Sequence, residues 1–483
     1  MIVNLKTAQE YMESLKQLKP RLYLNGEKVN SLVNNPVTKT VVEAMAKIYG
    51  MAYDTKFENI MTAYSPYINE KISRCVHISQ NIQDLEKRIE MATLTSQVLG
   101  TCNYRCPGGD ALNTLMSVTY EMDKKLGTKY NKRFVEYLKW VQKNDLACSG
   151  SLTDVKGDRS KGPKEQDLDM YVRVVEKEAD GIVVRGARIH QSGSIAAHEH
   201  IIIPGKTFRH GEEEYAVAFA IPNGAKGLTY ICQYTPEDAE RLHAEDLYYL
   251  GNPIYGVRET CMMVFDDVFV PWERVFMCGE VEFTTHMWSR FARLHRMSCG
   301  GACKVGFGDL MIGAAQTIAE YLGTATESHI KEKIVEMVKI NETLHACAIA
   351  AALKGTEEPE GSGVYLPHRM YSNVAKLNCA EGFWKMMALL GDVAGGLAVT
   401  LPSEKELKNP DVSEYIKKYL KAAVPAEKRM RMTTFIQNWC AGLHGVGTWH
   451  GAGSPQAQRR EIYNSVDFEE KKKLAKELAG IND

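Results

Sequence analysis

Two changes of periodicity divide this chain and constrain its fold more than any single motif. Between Thr7 and about Leu146, TAQEYMESLKQL, TKTVVEAMAKIYGMAY, NIQDLEKRIEMATLTSQVLG and DALNTLMSVTYEMDKKLG repeat apolar residues every three or four positions, the spacing of one helix face. At Ser149 the turn-rich SLTDVKGDRSKGP opens a stretch of short apolar runs, among them EHIIIPG, YAVAFAIP, LTYICQY and TCMMVFDDVFVP, separated by Gly, Asp and Pro. From about Val281, GDLMIGAAQTIAEYLG, IKEKIVEMVKINETLHACAIAAALKG and AKLNCAEGFWKMMALLGDVAGG return to helical spacing. This order predicts three units: a helical one over 1–147, a compact antiparallel barrel or sandwich over 148–280, and a helix bundle over 281–483. The absence of alternating strands and helices argues against a doubly wound parallel sheet, and no strand-associated G-x-G-x-x-G or Walker A sequence marks a nucleotide site.

Charge and cysteine usage narrow the function. With 59 Lys and Arg against 60 Asp and Glu, the net charge of -1 creates no global field for nucleic acid or an anionic membrane surface. The start, MIVNLKTAQEYMESLKQLKP, has no secretory pattern, and no apolar run reaches the roughly 18 residues of a membrane span, so a cytoplasmic protein is expected. Its 12 cysteines then read as buried thiols or metal ligands and not as a disulfide framework.

Two C-x3-C stretches carry the strongest chemical signal. Cys102-Asn-Tyr-Arg-Cys106 alone reads as a pair of buried thiols. The second, His295-Arg-Met-Ser-Cys299-Gly-Gly-Ala-Cys303-Lys304, adds an imidazole, two thiols and a diglycine within nine residues. Four or five soft ligands in two clusters match one metal site, and spacing leaves zinc and an iron–sulfur cluster both open. In the β unit, TDVKGDR (Thr153, Lys156, Asp158 and Arg159) and the turn His190-Gln191-Ser192-Gly193-Ser194 offer hydroxyls, cations and backbone N–H groups. Such turns bind phosphate or the polar edge of a flavin, and otherwise serve as ordinary hairpin turns. His198-Glu199-His200 reads as a packing feature or a zinc pair. Glu259 is a candidate general base if burial lifts its pKa toward working pH.

Taken together, HQSGSIAAHEH, VFDDVFVP, CKVGFGD, DVAGGL and HGAGSPQAQ, in this order along nearly the whole chain, resemble the 4-hydroxybutyryl-CoA dehydratase family. This family is related to 4-hydroxyphenylacetate 3-monooxygenase flavoproteins and to the acyl-CoA dehydrogenase fold. The resemblance implies a mainly α fold with a central β barrel, a homotetramer, FAD, and a 4Fe-4S cluster held by three Cys and one His. It places Cys102, Cys106, His295 and Cys303 as cluster ligands. Thr153, Lys156, Asp158, Arg159 and the turn His190 to Ser194 fall where the family holds the flavin, and His295, Glu259 and Lys304 on catalytic positions. It further implies radical dehydration of 4-hydroxybutyryl-CoA, or a related short hydroxyacyl-CoA, to crotonyl-CoA, with isomerisation of vinylacetyl-CoA. The alternative within the same wider group is an aromatic monooxygenase of the 4-hydroxyphenylacetate type, which needs no cluster.

Three departures from the family pattern stand out. One extra residue separates His295 from Cys303, which on a regular helix turns them apart by roughly 80°. Cys299 stands where a tyrosine is expected, and the GVGTW segment before HGAGSPQAQ is short and lacks an expected glutamate.

Overall fold

The computed structural model describes residues 5–244 and 248–481. Helices dominate both ends of the chain, and local chemistry sets their limits. Ile82–Leu99 starts at Asn81, whose side chain accepts from the Asp84 N–H, and stops at Gly100 in a left-handed conformation. Cys106–Leu126 carries a proline in its first turn and stops at Gly127, again left-handed. The short link between these two helices holds Cys102.

The β unit is not a barrel. A six-stranded sheet runs in the order Glu27–Lys28, Arg21–Leu24, Leu228–Cys232, Cys261–Pro271, Gly181–Gln191, Arg173–Lys177, and a four-stranded sheet in the order Val275–Cys278, Val217–Pro222, Glu199–Ile202, Cys148–Ser151. Both are open. One bridge, Asp154 to Arg188, links the chain leaving the smaller sheet to the larger one. Closure needs paired end strands, whereas the larger sheet ends in the exposed Glu27 and Lys28 on one side and in the partly exposed Arg173–Lys177 on the other. Short apolar runs punctuated by turns fit a sandwich as well as a barrel, which is why the sequence does not separate them. Two strands also come from residues 21–28, inside the span read as helical, with Arg21–Leu24 parallel to Leu228–Cys232.

The sheets face each other across one apolar core, where Phe219 of the smaller meets Phe265 of the larger edge-on at 6.2 Å. The opposite face of the smaller sheet, through Ala218, Ala220, Ile201 and Phe276, packs on Phe134 and Leu138 of Tyr130–Lys143. Cys106–Leu126 approaches this sheet backbone to backbone. A Cβ added at Gly108 would lie 2.0 Å from the Cys148 carbonyl oxygen, and one at Gly150 would lie 2.1 Å from that of Pro107. This contact pins the first turn of the helix, and with it Cys106.

The C-terminal bundle contains the element that resolves the spacing problem. Thr284–His295 continues through a π-helical segment, Arg296–Cys303, into Lys304–Leu322. The i→i+5 turn of a π-helix takes up an inserted residue without breaking the rod. The diglycine in this segment serves close packing: a Cβ at Gly300 would meet the Lys376 backbone at 2.8 Å, and one at Gly301 the Ala348 Cβ at 2.6 Å. Ile82–Leu99 lies alongside, its Thr93 hydroxyl donating to the Ala302 carbonyl at 3.2 Å. Among the described residues, no helix is long and apolar enough to cross a membrane.

Candidate active site

Both C-x3-C stretches line one buried place. Cys106 opens its helix, Asp110 follows one turn later on the same face, and His295 closes the helix that crosses them; their ligand atoms lie within 4.8 Å of one another. The His295 Nδ1 lies 2.9 Å from the Asp110 carboxylate, whose other oxygen accepts from the buried Arg88 guanidinium. A proton held on Nδ1 leaves Nε2 facing thiols, and His295 is in hydrogen-bond contact with Cys106 and Cys299. Burial opposes charge on the imidazole, yet Asp110 and the two thiols outweigh it and hold its pKa well above the usual value. Burial pushes the Cys106 thiol up to about 12, against the pull of His295.

The second pair completes the group. The Cys303 thiol donates to the Cys299 carbonyl at 3.2 Å, and the Lys304 Nζ lies 3.5 Å from the Cys303 sulfur. Cys299 is the thiol that gives up its proton readily: Cys303 bonds to its thiolate, and the Lys304 ammonium and His295 favour the negative charge. Burial alone would discharge Lys304, but the sulfurs beside it, Cys299 foremost, keep its pKa raised. Cys102 accepts the Tyr104 N–H at 3.3 Å and feels the charges of Arg258, Lys304 and Cys299. Cys102, Cys106, Cys299, Cys303, His295 and Lys304 therefore share one enclosed electrostatic environment.

Glu259 sits on the adjoining wall and is buried. Its carboxylate accepts from the Gly193 N–H at 2.9 Å, and its own N–H donates to the Tyr104 hydroxyl at 3.1 Å. Burial, only partly offset by the Gly193 bond, lifts its pKa to about 8. Tyr104, between Cys102 and Cys106, thus ties the first C-x3-C stretch to Glu259. It also tightens the 190–194 turn: a Cβ at Gly193, where φ is +73°, would fall 2.5 Å from the Tyr104 Cβ.

That turn and the 153–159 loop are neighbours, with the Ile189 N–H donating to the Thr153 carbonyl at 3.0 Å. His190 and Lys156 both adopt positive φ, Ser192 bonds Thr260 at 2.7 Å, and the Gln191 amide turns back onto the Ile189 carbonyl. Ser194 is buried, and its hydroxyl has no partner among the described residues. Lys156, Asp158 and Arg159 lie on the exposed side of the loop.

The zinc reading of His198 and His200 fails. His198 bonds the Ala147 N–H and Ser14, and His200 bonds Ser149 and Tyr230, all within 2.9 Å. Glu199 pairs with Arg274 at 2.6 Å. Both ring nitrogens of each histidine are used, and burial drives both pKa values down to about 3, so they are neutral core residues. Sequence reasoning missed Asp110, Tyr104 and Arg258. Asp110 was within reach, because the step from Cys106 to Asp110 repeats the helical spacing of four.

The chain matches two consecutive family models, 4-hydroxyphenylacetate 3-hydroxylase N terminal over residues 7–277 and its C terminal counterpart over 284–480. It is 42% identical to the 4-hydroxybutyryl-CoA dehydratase/vinylacetyl-CoA-Delta-isomerase of Clostridium aminobutyricum, over 99% of this chain and 100% of that protein. Among solved structures, an oxygen-tolerant archaeal 4-hydroxybutyryl-CoA dehydratase from N. maritimus superposes with a TM-score of 0.95 at 41% identity, covering 99% of this chain and 96% of that one. The oxygenase component of 4-hydroxyphenylacetate 3-monooxygenase complexed with FAD superposes with a TM-score of 0.85 at 25% identity, covering 98% of each chain. The fold class is thus that of the 4-hydroxyphenylacetate 3-hydroxylases. Within it, this chain belongs to the 4-hydroxybutyryl-CoA dehydratase/vinylacetyl-CoA isomerase family.

Proposed function

We propose that the protein is a FAD- and iron–sulfur-dependent dehydratase of 4-hydroxybutyryl-CoA or a related short hydroxyacyl-CoA, with vinylacetyl-CoA isomerase activity. What supports this reading is the meeting of Cys106, Asp110 and His295, with ligand atoms within 4.8 Å of one another, and the mutual electrostatic influence of Cys102, Cys299, Cys303 and Lys304 around them, beside the buried Glu259. The donor set fits a 4Fe-4S cluster: it is soft, enclosed and charge-balanced by Lys304. The 190–194 turn fits a flavin, since the buried Ser194 hydroxyl offers a polar contact that no described residue uses. Thr153, Lys156, Asp158, Arg159 and the segment His190 to Ser194 would hold the FAD.

When bound, the two groups supply one-electron redox chemistry and a Lewis-acidic iron for the departing hydroxyl. The chain's own residues handle protons. Glu259, with a pKa of about 8, can take a proton from the carbon next to the thioester once ionised and, being a weak acid's conjugate base, return it. His295, oriented by Asp110 through Nδ1, would hold the cluster through Nε2 and, once released from it, could carry a proton to the hydroxyl that leaves. Lys304 keeps negative charge on the neighbouring thiols. The reading includes a homotetramer in the cytoplasm, consistent with the apolar Val335, Val338, Ile349 and Leu353 exposed on Ser328–Leu353; light scattering measures the assembly.

The competing reading, an aromatic monooxygenase, is favoured by the two family models, but it has no use for four thiols, Cys299 buried and the others half-buried, beside an imidazole. Anaerobically purified protein separates the two by its visible spectrum and by iron and sulfide analysis. Flavin together with about four iron atoms per chain, and turnover of a hydroxyacyl-CoA within a thioester panel, is the expected result. Flavin without iron would overturn the dehydratase reading.

A further inference from the structure

The carboxylate of Glu259 is held by two donors of unequal strength. The Gly193 N–H meets Oε2 at 2.9 Å, and the Cys232 thiol meets Oε1 at 3.7 Å. Among the described residues, no other side chain donates to this carboxylate. Strand register puts the thiol there. Leu228–Cys232 runs antiparallel to Cys261–Pro271, with Cys232 directly opposite Cys261. The Gln233 N–H donates to the Thr260 carbonyl and its side-chain amide to the Arg258 carbonyl, both at 2.8 Å, so the pairing continues past Cys261 toward Glu259. Because side chains alternate along an extended chain, Glu259 and Cys261 share a face, and Cys232 is the diagonal neighbour of Glu259 on that face. Cys261 turns the other way, its sulfur 3.5 Å from the Gln191 carbonyl oxygen. Two thiols facing each other across one ladder thus have different partners, and only that of Cys232 bonds the carboxylate.

We propose that Cys232 is a positioning residue for Glu259, its thiol fixing the carboxylate oxygen that exchanges a proton with the carbon next to the thioester. This deepens the reading of Glu259 as the base and rests on it. In that exchange the carbon keeps the electron pair of its C–H bond as an enolate while the proton moves to Oε1, and the return step reverses both. A thiol suits the task in both states. It donates weakly to the carboxylate, steadying the oxygen without removing much of its basicity, and its sulfur accepts weakly from the O–H once that oxygen is protonated. The Gly193 N–H can only donate, so Oε2 is the oxygen that stays unprotonated. A lysine or arginine at position 232 would instead hold the carboxyl ionised and weaken it as a base. The other ionisable groups near this carboxyl are Asp238, which opposes its charge, Arg258, which favours it, and the hydroxyl of Tyr104 and the thiol of Cys261, which are themselves kept protonated.

The test uses anaerobically purified holoenzyme and butyryl-CoA in deuterated buffer. Butyryl-CoA has no hydroxyl to lose, so deuterium entering next to the thioester, followed by mass spectrometry, reports the base alone. Exchange in the native protein should rise with pH through about 8. In Cys232→Ala it should run about tenfold slower at neutral pH, with the midpoint moved to higher pH and butyryl-CoA affinity unchanged, because the ionised carboxylate has lost a donor. Cys232→Ser supplies a stronger donor, so the midpoint should lie at or below the native one and most of the exchange should return. Cys261→Ser, a change of the same size on the facing strand, should leave the midpoint in place. A native rate and midpoint in Cys232→Ala overturn the inference, as does an equal shift in Cys261→Ser, which would mark a general packing effect. Absence of exchange in the native protein, or exchange that survives Glu259→Gln, would instead mark failure of Glu259 as the base, and the inference would fall with it.

Discussion

The chain contains two histidine-centred regions of similar burial and opposite chemistry. In the sandwich, His198 and His200 are each surrounded by hydroxyl and backbone partners, with both ring nitrogens satisfied and no anion in contact. In the bundle, His295 touches one carboxylate and two thiols. Burial depresses the first two pKa values to about 3, whereas the anionic partners reverse the effect of burial at His295. Burial alone therefore does not determine what a histidine does. The sign of the charge on the groups it meets decides between a neutral packing residue and a proton carrier or ligand.

The sharpest way to break this contrast is at the thiols. Cys106→Ala is expected to lose iron and dehydratase activity together, because the site loses one of its soft ligands; full iron content in the purified variant would show that the ligand assignment is wrong. Glu259→Gln keeps the shape of the wall and removes the base, so turnover should fall by about 10²- to 10⁴-fold with flavin and iron retained. The pH profile of the native enzyme carries the same information. Burial lifts this carboxyl, which is therefore protonated and idle as a base below about pH 8. The rate should rise through that pH and the rise should vanish in Glu259→Gln.

Asp110→Asn probes the bundle histidine through its partner. It leaves the Arg88 guanidinium buried without its counter-charge, which should cost about 3–5 kcal/mol in chemical denaturation. It should also weaken iron retention, because the imidazole loses the bond that orients it. The smallest effect is expected in the sandwich. His200→Phe leaves Ser149 and Tyr230 without their partner, a loss of about 1–3 kcal/mol, with iron content and pH profile unchanged. A change in iron content there would erase the distinction between the two regions.

Particular elements show why some of this was legible in the sequence. The helical, β and helical textures reported the layer order, since side-chain periodicity is a property of each segment on its own. The same textures could not tell a barrel from a sandwich, because closure depends on whether the end strands pair, and here they do not. The extra residue between His295 and Cys303 predicted misaligned ligands on an ideal helix. The π-helical turns removed that difficulty, supported by the packing of Gly300 and Gly301 on two neighbouring helices.

By itself, the sequence determined the order of the units, the soft-ligand character of the two cysteine stretches and the local spacing within each. These are consequences of residue type and of neighbours a few positions away. Only the tertiary structure decided that His295 meets Asp110, 185 residues earlier in the chain, and that Tyr104 joins the cysteine loop to Glu259. Desolvation and partner charge set the pKa of each group, and both are supplied by segments far away in sequence that packing brings together.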